Sequence, residues 1–223
     1  MHDSQPQAAR ATTLLGGGPV DPDQLNLALS LAPKLVAADG GAEHALRLGL
    51  PVTKILGDLD SLTNLQFWRD QGVDLVKISE QDSTDFEKCI THEDADIFIG
   101  VGFLGRRLDH SLANLRTLAA YPDQRVLLIG ETDIVFLSPP EITLELAVDT
   151  RVSLFPMTRV LCGPSKGLRW PIDGLVMEPD GQIGTSNRTV DARVEMIFPD
   201  ARPLVMVPAL YLEECLTALQ RAR

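Results

Sequence analysis

Lys54-Ile55-Leu56-Gly57-Asp58-Leu59-Asp60-Ser61 joins a short apolar run to a loop carrying two aspartates. The same junction recurs twice. An apolar run at 75–78 leads to Gln81-Asp82-Ser83-Thr84-Asp85, and one at 97–101 leads to Gly105-Arg106-Arg107-Leu108-Asp109-His110. Two of these loops open a helix. Further apolar runs at 12–15, 35–38 and 126–129 complete six candidate strands. Helical spacing lies between them at 23–31, 42–48, 63–71, 84–92 and 109–119. Short buried runs alternating with helices mark βαβ units and a mostly parallel sheet. Such a sheet gathers its loops in the crevice beyond the carboxyl ends of its strands.

Carboxylates gathered there repel one another. Two unit charges ~4 Å apart cost roughly 4 kcal/mol at an effective dielectric near 20. A divalent cation removes that cost, and hard oxygen donors suit magnesium. The acidic loops therefore predict a metal-dependent, phosphate-handling enzyme.

The texture changes at Ser138-Pro139-Pro140. Beyond it lie short segments at 151–155, 158–161, 167–172, 175–177, 190–198 and 204–207, separated by Gly163-Pro164, Asp173-Gly174 and Asp180-Gly181. Val190, Ala192, Val194, Met196 and Phe198 alternate with Asp191, Arg193 and Glu195, as a half-buried strand does. The expected fold class is α/β. An N-terminal mostly parallel sheet flanked by helices occupies 1–137, and a small antiparallel β-sandwich domain occupies 138–223. Leu212, Leu216 and Leu219 give 209–223 a helical apolar face, packed on the surface. No internal repeat is visible.

The composition sets limits. With 44% hydrophobic and 23% charged residues, the 223-residue chain is that of an ordinary globular protein. Twenty basic residues against 31 acidic ones give a net charge of −11, which argues against nucleic acid and anionic membranes as partners. An anionic substrate must then be received locally, by arginine, backbone N–H groups or metal. Cys89, Cys162 and Cys215 lie far apart and form no disulfide or zinc pattern, which points to a reducing cytoplasm. Residues 1–10 lack an apolar signal core, and no run is long enough to span a membrane.

Each motif has a local reading. Asp58 and Asp60, two apart in an extended segment, would face one ion together. Thr84 and Glu87 fit a capping box, with Asp85 complementing the helix dipole. Asp39-Gly40-Gly41 is either a tight turn or a backbone that a nucleotide approaches closely. Arg107 sits beside a helix N-terminus, where phosphate binds well; as a plain surface pair with Asp109 it would contribute little. His110 fits packing or capping better than metal ligation. Gly16-Gly17-Gly18 lacks the third glycine of a dinucleotide fingerprint, and no P-loop run exists. By residue chemistry alone Trp170 reads as core, and Ser186-Asn187 as a turn.

In order, these motifs resemble the thiamine pyrophosphokinase family, with its D-G-G, G-D-x-D-S, D-x-T-D, G-R-x-D-H and late S-N. The corresponding residues are Asp39 to Gly41, Gly57 to Ser61, Asp82 to Asp85, Arg107 to His110 and Ser186-Asn187. The resemblance spans about 12–207. It implies a homodimer with the active site at the interface, converting ATP and thiamine to AMP and thiamine diphosphate. Asp58, Asp60 and Asp85 are then implied as Mg2+ ligands, with Arg107 catalytic beside them. Asp39, Gly40, Gln81, Asp82, Thr84, Arg107 and Asp109 are implied on the nucleotide side. Gly167-Leu168-Arg169-Trp170 resembles the family's G-L-x-W/Y segment, which places Trp170, Ser186 and Asn187 on thiamine. Two departures stand out. The usual G-G-R reads Gly105-Arg106-Arg107, and Gln81 replaces the lysine of many bacterial members. Rival readings are a pyrophosphokinase for another hydroxymethyl heterocycle, such as a pterin, and a non-catalytic nucleotide or thiamine sensor.

Overall fold

The computed structural model describes residues 10–222 apart from Ser61 and Thr63. Its first half builds six parallel strands: β1 (Ala11–Leu15), β2 (Lys34–Ala38), β3 (Lys54–Gly57), β4 (Asp74–Lys77), β5 (Ile97–Val101) and β6 (Val126–Ile129). Between them run α1 (Pro22–Leu31), α2 (Gly41–Leu48), α3 (Leu65–Asp70), α4 (Asp85–His92) and α5 (Leu108–Ala120). These are the elements the sequence predicts, with bounds shifted by a residue or two. The expected start of α3 at Thr63 lies outside the described residues.

The strands alternate between two cores. Leu15, Ala37, Ile55 and Ile99 face one side, packed with Leu25 and Ala28 of α1, Ala42 and Ala45 of α2 and Trp68 of α3. Leu14, Val36, Leu56 and Phe98 face the other, against Phe86, Cys89 and Ile90 of α4 and Leu118 of α5. Burial on both faces is why these strands read as unbroken apolar runs.

The second half contributes β7 (Asp133–Leu137), β8 (Glu141–Glu145), β9 (Arg151–Phe155), β10 (Val160–Leu161), β11 (Ser165–Lys166), β12 (Val176–Met177), β13 (Gly184–Arg188), β14 (Arg193–Ile197), β15 (Leu204–Pro208) and α6 (Leu212–Arg221). Four of these strands extend the first sheet. Its order is β13-β9-β15-β7-β6-β5-β1-β2-β3-β4, antiparallel from β6 through β7 to β13. The division expected at 137/138 thus falls between β7 and β8, while the sheet itself runs on. A three-stranded sheet, β11-β14-β8, makes the second layer of the sandwich. Its Ile142, Leu144, Val194 and Met196 share a core with Val152, Leu154, Val205 and Val207 of the large sheet. Leu212, Leu216 and Leu219 of α6 bury into the same core.

β7, β8, β11 and β13 lie where the sequence places no strand. Gly184-Thr185-Ser186-Asn187-Arg188 has weak strand propensity and is held by pairing along β9. The segment 167–172 is no strand. It keeps one bridge, Leu168 to Thr189, because Gly167 turns the chain at φ +77°. The alternation expected over 190–198 begins only at Arg193. Val190 is 56% exposed and Ala192 is exposed, since the chain turns at Asp191, whose carboxylate accepts the Arg193 N–H at 3.2 Å.

Candidate active site

β5 lies beside β1 on the side away from β2, so the strand order reverses between β1 and β5. Loops leaving the carboxyl ends at such a switch point diverge and open a crevice. Here the crevice is a cleft of about 430 Å3, lined by the loops after β1, β2 and β5 and the first turns of α4 and α5. Its floor is bare backbone. The N–H groups of Gly16 and Gly18 donate to Val101 O and Gly102 O, both at 2.8 Å. A Cβ on Gly16 would stand 2.5 Å from Gly102 O, and one on Gly41 only 1.9 Å from Leu15 O. Glycine is required there by close approach, whatever the fingerprint spacing says.

The acidic loops converge beside this floor. Carboxylate oxygens of Asp39, Asp58 and Asp60 all lie within 4.8 Å of one another. Asp39 is 5% exposed, Asp58 half-buried and Asp60 exposed. The convergence does not come from an extended segment, as the i, i+2 spacing suggested. Leu59 sits in the left-handed region at φ +61°, and the turn lets Asp58 Oδ1 accept the Asp60 N–H at 3.2 Å. That hydrogen bond, ahead of a weaker one from Gln81 Nε2 to Oδ2 at 3.4 Å, holds the Asp58 carboxyl below its ordinary range. Asp39 is also strained, at φ +31°, and a Cβ on Gly57 would meet its Cβ at 2.8 Å. Strained residues persist where the surroundings over-determine them, and functional sites are where they cluster.

Asp85 stands apart from this trio but within its field. Burial, then the charges of Asp39 and Asp58, push its carboxyl above the ordinary range, against the pull of Lys88 and His110. Thr84 caps α4 by accepting the Glu87 N–H at 3.2 Å. The reciprocal half of the capping box is not made. Glu87 instead accepts from Tyr121 Oη at 2.7 Å, Thr117 Oγ1 at 3.3 Å and Arg116 Nη1 at 3.3 Å, which clamps α4 to α5. Asn114 completes the frame, donating to Phe103 O at 2.7 Å and accepting from Thr84 Oγ1 at 3.4 Å.

The donor set fits a hard divalent cation. It offers only oxygens, from a buried, a half-buried and an exposed carboxylate. Asp39, Asp58 and Asp60 would hold such an ion, with Asp85 close by.

Across the cleft, Arg107 makes a bidentate pair with Asp109, Nη2 to Oδ2 at 2.6 Å and Nε to Oδ1 at 3.2 Å, both largely exposed. Arg107, Arg106, His110, Gly40 and Thr84 line the cleft; Gln81, Asp82 and Asp109 do not. Asp82 is exposed, and its N–H donates to Glu80 at 2.9 Å. Arg106, at the usual glycine of the motif, has φ +40°, a conformation that disfavours any side chain with a Cβ.

Residues 25–129 match the family model described as thiamin pyrophosphokinase, catalytic domain. The chain is similar there, over just under half of its length, to the thiamine pyrophosphokinase family. It is 29% identical over 173 residues to thiamine pyrophosphokinase 1 of Oryza sativa subsp. japonica, a match covering 70% of this chain and 65% of the relative. It is 29% identical over 192 residues to thiamine pyrophosphokinase 1 of Arabidopsis thaliana, covering 71% and 72%. The chain thus spans just under two thirds of the length of the rice protein. Among solved structures, thiamine pyrophosphokinase from Bacillus subtilis superposes with TM-score 0.74 at 21% identity, over 89% of this chain and 98% of that one. The Candida albicans enzyme gives 0.77 at 17%, over 90% and 89%. At such identities these two structures speak for the fold alone.

The family's second motif group stands far from the cleft. Trp170 is 55% exposed, not the core residue its chemistry alone suggests, and Arg169 stacks over its ring at 5.3 Å. Asn187 is buried behind it, donating to Trp170 O at 2.7 Å and accepting the Trp170 N–H at 3.2 Å. Ser186 is exposed on β13 at φ +62°, its N–H bonded to Ser153 Oγ at 3.0 Å. Sequence reasoning missed three contributors: the clamp at Glu87, the tie at Asn114 and the buried Lys88. Only Lys88 had a signal, as the one charged position among Phe86, Cys89 and Ile90 on the buried face of α4.

Proposed function

We propose that this protein is a thiamine pyrophosphokinase, which moves the pyrophosphoryl group of ATP to the hydroxyl of thiamine and releases AMP. The observation that carries this reading is the carboxylate trio beside a glycine-floored cleft at the strand-order switch, in a chain whose residues 25–129 match the thiamin pyrophosphokinase catalytic-domain model. In the reaction the thiamine oxygen bonds the β-phosphorus as the bond to the oxygen bridging the α-phosphate breaks. Mg2+, held by Asp58 and Asp60 with Asp39 and Asp85, would offset charge on the phosphate oxygens. The protein's part is placement. The backbone at Gly16 to Gly18 and Gly40 admits the nucleotide closely, and Arg107 exchanges Asp109 for a phosphate oxygen. Trp170 offers an aromatic face to a cationic heterocycle, with Ser186 and Asn187 beside it. Gln81, Asp82 and Thr84 order the loop that carries Asp85. Three buried free cysteines suit a reducing cytoplasm, and no described helix is long and apolar enough to cross a membrane.

The working unit in this reading is a homodimer. β13, which carries Asn187 beside Trp170, and β3, which leads into Asp58, are eight strand spacings apart in one sheet. At ~4.8 Å per spacing that is roughly 38 Å, too far for one thiamine molecule to bridge. A second copy supplies the missing half.

The test mixes two impaired variants, Asp58→Ala and Trp170→Ala, after unfolding and refolding together, and assays them at thiamine well below its KM. AMP and thiamine diphosphate are followed by chromatography. Shared sites recover about one quarter of native activity, because half the dimers carry one intact site of two. No recovery, from variants shown to form mixed dimers, rejects the shared site. Wild-type protein that leaves ATP untouched with thiamine and magnesium rejects the activity itself.

A further inference from the structure

Lys88 is 3% exposed, on the face of α4 that otherwise buries Phe86, Cys89 and Ile90. An ammonium so deep costs several kcal/mol unless charge or hydrogen bonds compensate it. Among the described residues its Nζ makes no hydrogen bond, and Asp85 Oδ1, at 3.7 Å, is its one carboxylate within 4 Å. That gap is longer than a hydrogen bond. The charge is therefore not satisfied by a tight local pair. It faces the acidic site, where it also acts on Asp58.

We propose that Lys88 is a positioning residue, a built-in monovalent cation beside the Asp85 carboxylate and in the field of Asp58, that steadies the acidic cluster before a divalent ion arrives. This rests on the metal-site reading above and adds a residue to it. Four carboxylates against one ammonium leave a net charge that still attracts a divalent ion. With Lys88 neutral, the cluster repels itself more strongly when empty and attracts the ion more strongly when exposed to it. Lys88 thus trades affinity for order. The ion becomes exchangeable, and the carboxylates keep their geometry between turnovers.

The test uses the full chain, with Mn2+ alone as the probe. Wild type, Lys88→Met and Lys88→Gln are titrated calorimetrically, and thermal midpoints are recorded in EDTA and in Mn2+. The inference expects the neutral variants to bind Mn2+ roughly tenfold more tightly. It also expects them to melt lower in EDTA and to gain about twice the wild-type midpoint shift on adding the ion. A variant that folds only with Mn2+ supports it equally. Equal midpoint loss with and without the ion, at unchanged or weaker affinity, would mean that only the buried stem matters and would overturn it. So would variants that stay unfolded in both conditions. Wild type that binds no Mn2+ removes the metal-site reading and this inference together, whereas a normal wild type with indifferent variants removes this inference alone.

Discussion

The cleft of the first half and the Trp170 face of the second half are built on opposite principles. In the cleft, charged groups are drawn together by strained backbone at Asp39, Leu59 and Arg106, and framed by buried ties through Asn114 and Glu87. On the other face, one large aromatic ring stands exposed, and only its backbone is fixed, by the buried Asn187. The first arrangement stores repulsion that a cation would relieve. The second stores little and presents apolar surface for something to cover. One region is pre-organised for charge, the other for contact.

Four substitutions probe that difference, in order of expected effect. Asp58→Ala should lower turnover by about 1000-fold while leaving the fold intact, as loss of preorganised charge stabilisation does. Near-native activity, with unchanged circular dichroism, would strip the cleft of its metal role. Trp170→Ala should raise the thiamine KM by roughly tenfold, the scale of one cation–π contact, and leave the ATP KM alone. A change in the ATP KM instead would merge the two regions into one.

The pH dependence of stability separates the carboxylates of the cleft. The raised Asp85 carboxyl means the folded protein holds a proton there more tightly than the unfolded chain does. Its contribution is full below the ordinary carboxylate value and is lost as pH rises through the raised one. Asp58 has the opposite sign: its hydrogen bond from Asp60 contributes above the ordinary value and fades as pH falls through the lowered one. Urea midpoints in EDTA should therefore decline on the upper side of the carboxylate range for wild type. Asp85→Asn should remove that decline and melt higher than wild type without metal. A steeper decline would show that the Lys88 pair outweighs the repulsion. The smallest effect is Arg106→Gly, which relieves a left-handed backbone and should stabilise the fold by about 1 kcal/mol. A loss of stability would mean that the Arg106 side chain is held by contacts worth more than the strain.

Much of this was legible in the chain. The six parallel strands announced themselves because burial on both faces leaves no room for polar residues, so Leu35 to Ala38 and Ile97 to Val101 read as strands without ambiguity. The helix that carries Asp85 was fixed by Thr84, whose side chain caps it locally. Strand β13 was not legible, because its pairing along β9 comes from residues 30 to 37 positions away and its own composition resists extension. The partner of Glu87 was equally hidden. The spacing fits a reciprocal cap, but Tyr121, at the C-terminal end of α5, offers a better donor at 2.7 Å.

Local chemistry therefore determined the elements and the residue types at their ends: which loops are acidic, where helices start, which segments are buried. Tertiary structure alone decided that Asp39, rather than Asp85, completes the closest carboxylate trio, since a left-handed turn at Leu59 and the approach of Gly57 set that distance. It alone put Trp170 at the far end of the sheet from Asp58. The reason is physical. Propensity and capping act over a few residues, whereas strand order is chosen by which faces can be buried together, and a sequence carries no direct record of that choice.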